Sequence, residues 1–125
     1  MKSTIYNMLS SIKNGQLSYK QTIKQIKTKK TEELLNILWD EGFILGYKKN
    51  KNKLIIFLGY KNNNPLINTI KIISKPNLRV YYSVKQLWKL NINDGLIIFS
   101  TNKGLLSINT CKKLKIGGEP ILIIK

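Results

Sequence analysis

The most informative stretch of the chain reads Leu96-Ile97-Ile98-Phe99-Ser100-Thr101-Asn102-Lys103-Gly104-Leu105-Leu106-Ser107. Its first four residues form a short apolar run, which predicts a buried β-strand. The polar segment that follows ends at Gly104, and this composition is typical of a tight turn. Ser107 is placed to cap a helical turn that carries Cys111 and Leu114 and closes near Gly117. This half of the chain is therefore expected to mix strands with short helices.

Three more elements are predicted in the same half. The segment from Ile67 to Ile73 indicates a strand, and the apolar run from Ile121 to Ile124 indicates a final strand. Between them, Ser83 is placed to cap a short helix. One side of that helix is expected to carry the apolar residues Val84, Leu87 and Trp88.

The first half of the chain opens with an amphipathic helix. Its apolar residues follow helical spacing, Ser3 is placed to cap it and Gly15 to end it. The stretch from Leu17 to Lys30 predicts a strand followed by a basic loop. A second helix is expected to start at Thr31, with Glu32 and Glu33 at the positive end of its dipole, and to stop at Gly42. The residues expected to face inward are Ile5, Met8, Leu9 and Ile12 in the first helix and Leu34, Leu35 and Leu38 in the second.

A hairpin is expected next. Phe43 to Tyr47 and Leu54 to Tyr60 have strand composition, and the polar, basic segment from Lys48 to Lys53 joins them. Lys61 to Pro65 has no apolar residue apart from its closing proline, which is typical of a linker. We therefore expect an α+β protein of two small subdomains, residues 1–64 and 65–125.

The charge of the chain points to an anionic partner. Its 125 residues include 22 basic and 6 acidic side chains, which gives a formal net charge of +16. A polyphosphate neutralises such a surface well because each contacted phosphate releases a condensed counterion. Nucleic acid is therefore the first candidate and an acidic membrane face the second. Arg79 is the only arginine, so we expect phosphate contacts by lysine to outnumber bidentate contacts to base edges.

Enzymatic chemistry is not expected. The sequence has no histidine and a single cysteine, Cys111, which removes the commonest general base and metal ligand. The carboxylate pairs Glu32/Glu33 and Asp40/Glu41 are consecutive, so their side chains point in different directions on a helix. No phosphate-binding glycine motif is present. We expect no cofactor, no metal and no small-molecule substrate, and the longest apolar run, Leu54 to Leu58, is too short to cross a membrane.

Three segments carry candidate binding residues. Ser100, Thr101, Asn102, Lys103 and Gly104 offer hydroxyl, amide and ammonium groups from a turn whose glycine lets a ligand approach the backbone; an ordinary polar hairpin turn is the alternative. Gly117-Gly118-Glu119 is either a helix terminator with a flexible corner or a segment whose Glu119 carboxylate orients a neighbouring lysine or accepts hydrogen bonds from a base or sugar. The segment from Ser74 to Tyr82 places Lys75, Arg79 and Tyr81 around a Pro-Asn turn, a pattern that can stack on bases or line a backbone groove; a turn with one tyrosine packed inward is the alternative.

The order of these motifs resembles the bacterial-type small-subunit ribosomal protein S-eight family over nearly the whole chain. Ser100 to Ser107 is similar to the family's Ser-Thr-Ser-Lys-Gly-(Val/Ile)-Met-Thr, and Gly117-Gly118-Glu119 matches Gly-Gly-Glu. Ser74 to Tyr81 is similar to Ser-Lys-Pro-Gly-Leu-Arg-Val-Tyr. The helix from Ile5 to Gly15 and the segment Asp40 to Ile44 match two further family motifs. Asn77 and Asn102 stand where the family has Gly and Ser.

The resemblance implies both a fold and a function. It implies an N-terminal subdomain of two helices on a short sheet and a C-terminal subdomain that is mostly strand. It also implies a structural component of the small ribosomal subunit that binds the central domain of its RNA, beside neighbouring ribosomal proteins, and supports assembly and translation. The RNA contacts it implies are Ser100, Thr101, Asn102, Lys103 and Gly104, with Ser107, Gly117, Gly118 and Glu119 beside them, and Asn7, Ser10, Lys13 and Asn14 on the first helix.

An alternative function and several locations stay open. A basic adaptor that binds an acidic protein or a membrane surface through its lysine-rich loops also fits the charge. The chain lacks alanine and is rich in Ile, Asn and Lys, which is typical of an A/T-biased gene. We therefore expect a mitochondrial ribosome, with plastids and A/T-rich bacteria as alternatives.

Overall fold

The structure is a computed structural model that describes residues 2–73, 80–90 and 95–125. The chain divides into two compact units, Met1–Ile67 and Asn68–Lys125. Each unit combines helices with an antiparallel sheet, which confirms the expected α+β class. Within the described ranges no helix is both long and apolar enough to span a membrane.

The first unit packs two helices on a three-stranded sheet. The sheet has the order β1-β3-β2, and a two-stranded β4-β5 hairpin follows it. The apolar residues predicted to face inward from both helices are buried. The elements are α1 (Lys2–Leu17), β1 (Thr22–Ile26), α2 (Lys29–Asp40), β2 (Gly46–Asn50), β3 (Lys53–Phe57), β4 (Tyr60–Lys61) and β5 (Asn64–Pro65).

The predicted ends of α1 are wrong. Ser3 lies inside the helix and not before it, and Gly15 lies inside it as well. A Cβ atom at Gly15 would stand 2.8 Å from Cγ2 of Ile23 and 2.9 Å from Cδ1 of Leu58. The glycine therefore lets the helix approach the sheet closely. It does not form a left-handed turn that ends the helix.

The predicted start of α2 is also wrong. Thr28, not Thr31, is the N-cap: the Thr31 N–H donates to Oγ1 of Thr28 at 3.2 Å, and the Thr28 N–H donates to Oγ1 of Thr31 at 2.9 Å. This reciprocal pair is a capping box in which threonine fills the position where Glu or Gln is usual. Lys29 and Lys30 consequently belong to the first helical turn and not to a loop. Gly42, with φ of +80°, follows the helix as predicted.

The two expected connections of the first unit are shorter than predicted. The β2–β3 hairpin is confirmed, but its strands extend through Asn50 and from Lys53, so only Lys51 and Asn52 form the turn. The expected linker is a second small hairpin, in which Lys61 pairs with Asn64. Asn62 and Asn63 have φ of 53° and 66°, and asparagine tolerates this left-handed conformation better than most residues do.

The second unit is built on a four-stranded antiparallel sheet with the order β6-β9-β7-β8. Its helices are capped by Ser83 and Ser107 as predicted, and one buried cluster joins Leu87, Ile97, Phe99, Ile108 and Cys111. The α4 helix ends at Leu114, and its C-cap is Lys115, which has φ of 57°, so Gly117 lies beyond the cap and does not close the helix. The elements are β6 (Ile70–Ile72), α3 (Val84–Lys89), β7 (Leu96–Thr101), β8 (Gly104–Ser107), α4 (Ile108–Leu114) and β9 (Glu119–Ile124).

Candidate nucleic-acid interface

The turn between β7 and β8 is closed by one of its own side chains. Thr101 pairs with Gly104 across the hairpin. The Thr101 hydroxyl donates to the Gly104 carbonyl oxygen at 2.9 Å and accepts from the Lys103 N–H at 3.1 Å. Gly104 has φ of 104°, a conformation in which a residue with a side chain would be strained. The two turn residues, Asn102 and Lys103, are exposed and project from a fixed backbone.

Gly118 packs against the base of this turn. It forms a reciprocal bridge with Tyr82: the Tyr82 N–H donates to the Gly118 oxygen at 2.8 Å, and the Gly118 N–H donates to the Tyr82 oxygen at 3.0 Å. A Cβ atom on Gly118 would stand 2.8 Å from Cγ2 of Thr101 and 2.9 Å from the Ser100 oxygen. The residue is therefore glycine because two backbones meet there.

Gly117 and Tyr81 border the same region. A Cβ atom on Gly117 would lie 2.5 Å from the Tyr82 oxygen and 3.2 Å from the Tyr81 hydroxyl oxygen. Tyr81 itself is 69% exposed. On the opposite side, the register of β7 and β9 shifts after Ile98, and this bulge sets Glu119 opposite Ser100. The structure thus brings the predicted Ser100–Gly104 and Gly117–Glu119 segments together and adds Tyr81 at their edge.

Ser107 lies at the other end of β8, opposite Ile98. Its side chain is the N-cap of α4: Oγ accepts from the Thr110 N–H at 3.4 Å and lies 3.1 Å from Oγ1 of Thr110. The residue is buried. The hydroxyl is therefore engaged in capping, and the predicted RNA contact by Ser107 stays a prediction.

The candidate residues of α1 belong to the first unit. Asn7, Ser10 and Asn14 are exposed and follow i, i+3, i+7 spacing, so they share one face of the helix. Lys13 is half-buried beside them. Two other candidates, Lys75 and Arg79, lie outside the described residues, and the predicted turn around Pro76 stays a prediction.

Comparison with known proteins settles the family. The family model for "Ribosomal protein S8" matches residues 3–124. The chain belongs to this family. "Small ribosomal subunit protein uS8" of Wigglesworthia glossinidia brevipalpis is 36% identical over 128 residues, which cover 100% of this chain and 98% of that protein. "Small ribosomal subunit protein uS8c" of Gracilaria tenuistipitata var. liui is 36% identical over 130 residues, which cover 99% and 98%. The expected resemblance is confirmed.

Ribosomal protein S8 family membership also confirms that the chain is not an enzyme. The surroundings of the one cysteine agree with this, because burial raises the pKa of the Cys111 thiol and so suppresses the reactive thiolate. In residues 2–73, 80–90 and 95–125, no three His, Cys, Asp or Glu side chains gather as a metal site would require.

In this S8 family member the structure places Trp88 on the surface, where the sequence did not predict it. Trp88 was expected on the apolar side of α3 with Leu87, but it is 62% exposed. Consecutive helical residues point about 100° apart, so Leu87 and Trp88 cannot both face the core. Nζ of Lys112, on α4, lies 5.1 Å from the centre of the Trp88 ring, within the range of a cation–π contact. This pairing joins two separate helices, and no local pattern predicts it.

Proposed function

We propose that the chain is a structural component of the small ribosomal subunit, where it binds the central domain of the small-subunit RNA and supports subunit assembly and translation. Membership in the ribosomal protein S8 family supports the ribosomal assignment over the basic adaptor. Its relatives are named as proteins of the small subunit. The net charge of +16 supports a phosphate-rich partner.

The braced β7–β8 turn is the observation that carries the RNA-binding proposal. A short polar turn on a surface usually has backbone freedom, and ordering it on binding consumes part of the interaction free energy. Here the Thr101 hydroxyl bonds and the Gly118 contact hold the turn before any ligand arrives. Asn102 and Lys103 are thereby preorganised as donors to ribose and phosphate oxygens.

The roles within the site differ between residues. We assign direct RNA contacts to Asn102 and Lys103, which are exposed. We assign a positioning role to Thr101, because its hydroxyl is already used within the turn. The remaining predicted contacts at this site are assigned to its floor and edge, namely Ser100, Gly104, Gly117, Gly118, Glu119 and Tyr81.

A second RNA contact is proposed on α1. The polar face formed by Asn7, Ser10 and Asn14 presents amide and hydroxyl groups without an acidic side chain, so it can approach a phosphate backbone. Lys13 adds a cation on the neighbouring position. The S8 resemblance carried by this helix is the reason for assigning it to RNA and not to solvent alone.

We also propose that the ribosome is organellar, and mitochondrial in particular. The support is compositional, since the chain has no alanine and abundant Ile, Asn and Lys. The relatives reported above are of bacterial and plastid types. Ribosomal subunits from purified mitochondria, plastids or bacterial cytoplasm are separated by sedimentation. The preparation whose small-subunit fraction contains this chain identifies which of the three locations is correct.

The test of RNA binding compares two variants of the β7–β8 turn with a lysine variant elsewhere in the second unit. Lys103→Ala removes a cation from the braced turn, and Asn102→Ala removes the amide beside it. The control is Lys71→Ala, because Lys71 is an exposed residue of β6, and the sheet order places β6 at the opposite edge from β8. Affinity is measured for a central-domain fragment of the small-subunit RNA at fixed salt.

Each of the two turn variants should weaken binding by on the order of 1 kcal/mol, about fivefold. Lys71→Ala should change the affinity less than Lys103→Ala does. Equal losses for the two lysine variants would mean that the turn contributes only its charge. Unchanged binding by both turn variants would remove the turn from the interface.

A further inference from the structure

An exposed aromatic surface lies at the start of the edge strand of the first sheet. We call it the Trp39 patch and define it as Trp39, Leu45, Gly46 and Tyr47. A Cβ atom on Gly46 would be 3.1 Å from Cε2 and Cζ2 of the Trp39 ring, and the rings of Trp39 and Tyr47 meet edge-on with centres 5.8 Å apart. Trp39 is 50% exposed, and Leu45, the chain neighbour of Gly46, is 64% exposed.

The aromatic side chains of the Trp39 patch are held in place. The Tyr47 hydroxyl donates to Oδ1 of Asn36 at 2.7 Å, which fixes the tyrosine against α2. The Trp39 ring lies against Gly46, where the missing side chain leaves room for it. Single exposed apolar side chains are common on proteins, but a half-exposed tryptophan fixed by two neighbours is the kind of anchor that protein interfaces use.

Two acidic residues lie beside Trp39, while the exposed Lys48 follows Tyr47 on its strand. Asp40 and Glu41 follow Trp39 directly, both are exposed, and neither forms an ion pair with any residue in the described part of the chain. They stand at the C-terminal end of α2, and the last turn of this helix has no basic residue. Carboxylates at this end of a helix are disfavoured by the helix dipole.

The other carboxylates of α2 show how unusual this is. Glu32 lies 3.1 Å from Nζ of Lys49 and 3.7 Å from Nζ of Lys27, and Glu33 lies 3.9 Å from Nζ of Lys30. Those two acids are neutralised by the chain itself. Asp40 and Glu41 have no such partner among the described residues.

We propose that the Trp39 patch docks a lysine- or arginine-rich segment of another protein of the same particle. An apolar side chain of that segment packs on the Trp39 ring, and its cations face Asp40 and Glu41. RNA is disfavoured next to Asp40 and Glu41, because two carboxylates without an ion-pair partner among the described residues repel phosphate. The proposal rests on the proposed function, since it places the chain in a ribosomal subunit.

A zero-length carbodiimide tests the proposal on purified small subunits without any substitution. The reagent joins a carboxylate to a lysine that touches it, and mass spectrometry identifies the joined peptides. We expect Asp40 or Glu41 joined to a lysine of a different protein. Glu32 is the internal control, because it should join Lys49 or Lys27 of its own chain.

A small amine added with the carbodiimide reports the contrary result. If Asp40 and Glu41 are both labelled by the free amine and join no other protein, the docking proposal is wrong. Absence of the chain from purified subunits would contradict the proposed function instead, so the two failures are distinguishable.

A photoreactive benzophenone amino acid in place of Leu45 provides a second measurement. The adduct should be with a protein, so it should persist after RNase digestion and be cleaved by protease. The partner peptide that is recovered should be rich in Lys or Arg. The same amino acid in place of Asn14, on the polar face of α1, should give an adduct that RNase removes. An RNase-sensitive adduct at position 45 would overturn the docking proposal.

Discussion

At the scale of single residues, Gly118 determines the shape of the proposed RNA-binding site. Its backbone is bonded on one side to Tyr82, and its α-carbon faces the end of β7 on the other. The nearest atom to a Cβ on that second side, after a methyl group of Thr101, is the backbone oxygen of Ser100. A backbone atom cannot rotate away as a side chain can, so any larger residue must displace the strand that carries the turn.

Gly118→Ala is therefore expected to change both stability and RNA affinity. The overpacked contact should lower the free energy of unfolding by about 1–3 kcal/mol, measured by urea denaturation. The displacement of Ser100 and Thr101 should also weaken binding of the RNA fragment. This loss should be measured under conditions in which the variant is fully folded, so that unfolding does not account for it.

Gly42→Ala is the matched control for this prediction. A Cβ on Gly42 meets nothing within 4 Å, but its φ of +80° makes alanine strained, at a cost of about 1–2 kcal/mol. This variant should lose stability without losing RNA affinity. If Gly118→Ala behaves as Gly42→Ala does, the bridge with Tyr82 is structural and does not shape the site.

At the scale of secondary structure, the sequence predicted most elements but misplaced several of their ends. The serine caps of α3 and α4 were predicted correctly because each serine directly precedes an apolar helical pattern. Two threonines compete for the start of α2, and propensity favours neither. The two hydrogen bonds that make Thr28 the N-cap form only when the first helical turn brings Thr31 next to it.

The candidate site was predictable in its composition and not in its construction. The turn residues and the Gly117–Glu119 segment carry a local signal, and the S8 resemblance ordered them. The bridge between Tyr82 and Gly118 joins residues 36 positions apart, so no local pattern reports it. The same reason hides the contact between Trp88 and Lys112. Gly15 was misread because a glycine for close packing and a glycine for a helix end look alike in sequence.

Tyr60 joins two elements of the first unit. Its hydroxyl donates to the Lys20 carbonyl oxygen at 2.6 Å, and its ring stacks on Tyr19 with centres 5.4 Å apart. Tyr19 in turn donates to the Asn63 oxygen at 3.0 Å. The α1–β1 connection and the β4–β5 hairpin are thus fastened by two tyrosines. Burial, and to a lesser extent the charge of Tyr19, raises the pKa of Tyr60 above its ordinary value of 10.0.

This shift predicts a stability contribution that alkali removes. The folded state holds the Tyr60 proton more tightly than the unfolded state, so the contribution is complete below pH 10 and is lost as the pH rises through the raised pKa. The difference in unfolding free energy between the parent and Tyr60→Phe should therefore shrink between pH 8 and pH 11. Subtracting the variant cancels the titration of the lysines. Parallel stability curves across this range would contradict the prediction.

At the scale of the whole molecule, the positive charge is not uniformly available. Lys49 lies 3.1 Å from a carboxylate oxygen of Glu32, and Lys27 shares that carboxylate. Lys51, at the tip of the same hairpin, is exposed and forms no ion pair with the described residues. A lysine whose charge is already balanced by a carboxylate neutralises a phosphate less completely, so fewer condensed counterions leave the RNA. The count of 22 basic side chains therefore overstates the number of cations that can each bind a phosphate.

The salt dependence of RNA binding tests this difference with two lysines of one hairpin. Lys51→Asn keeps the turn, because asparagine tolerates the φ of 58° found there. If Lys51 meets a phosphate, its loss should reduce the slope of log K against log salt by about 0.7–0.9. Lys49→Gln removes the same formal charge but should reduce the slope less, since Glu32 already offsets that cation. Equal reductions would show that the RNA senses only total charge, and the ion pair with Glu32 would then have no role in setting which lysines bind.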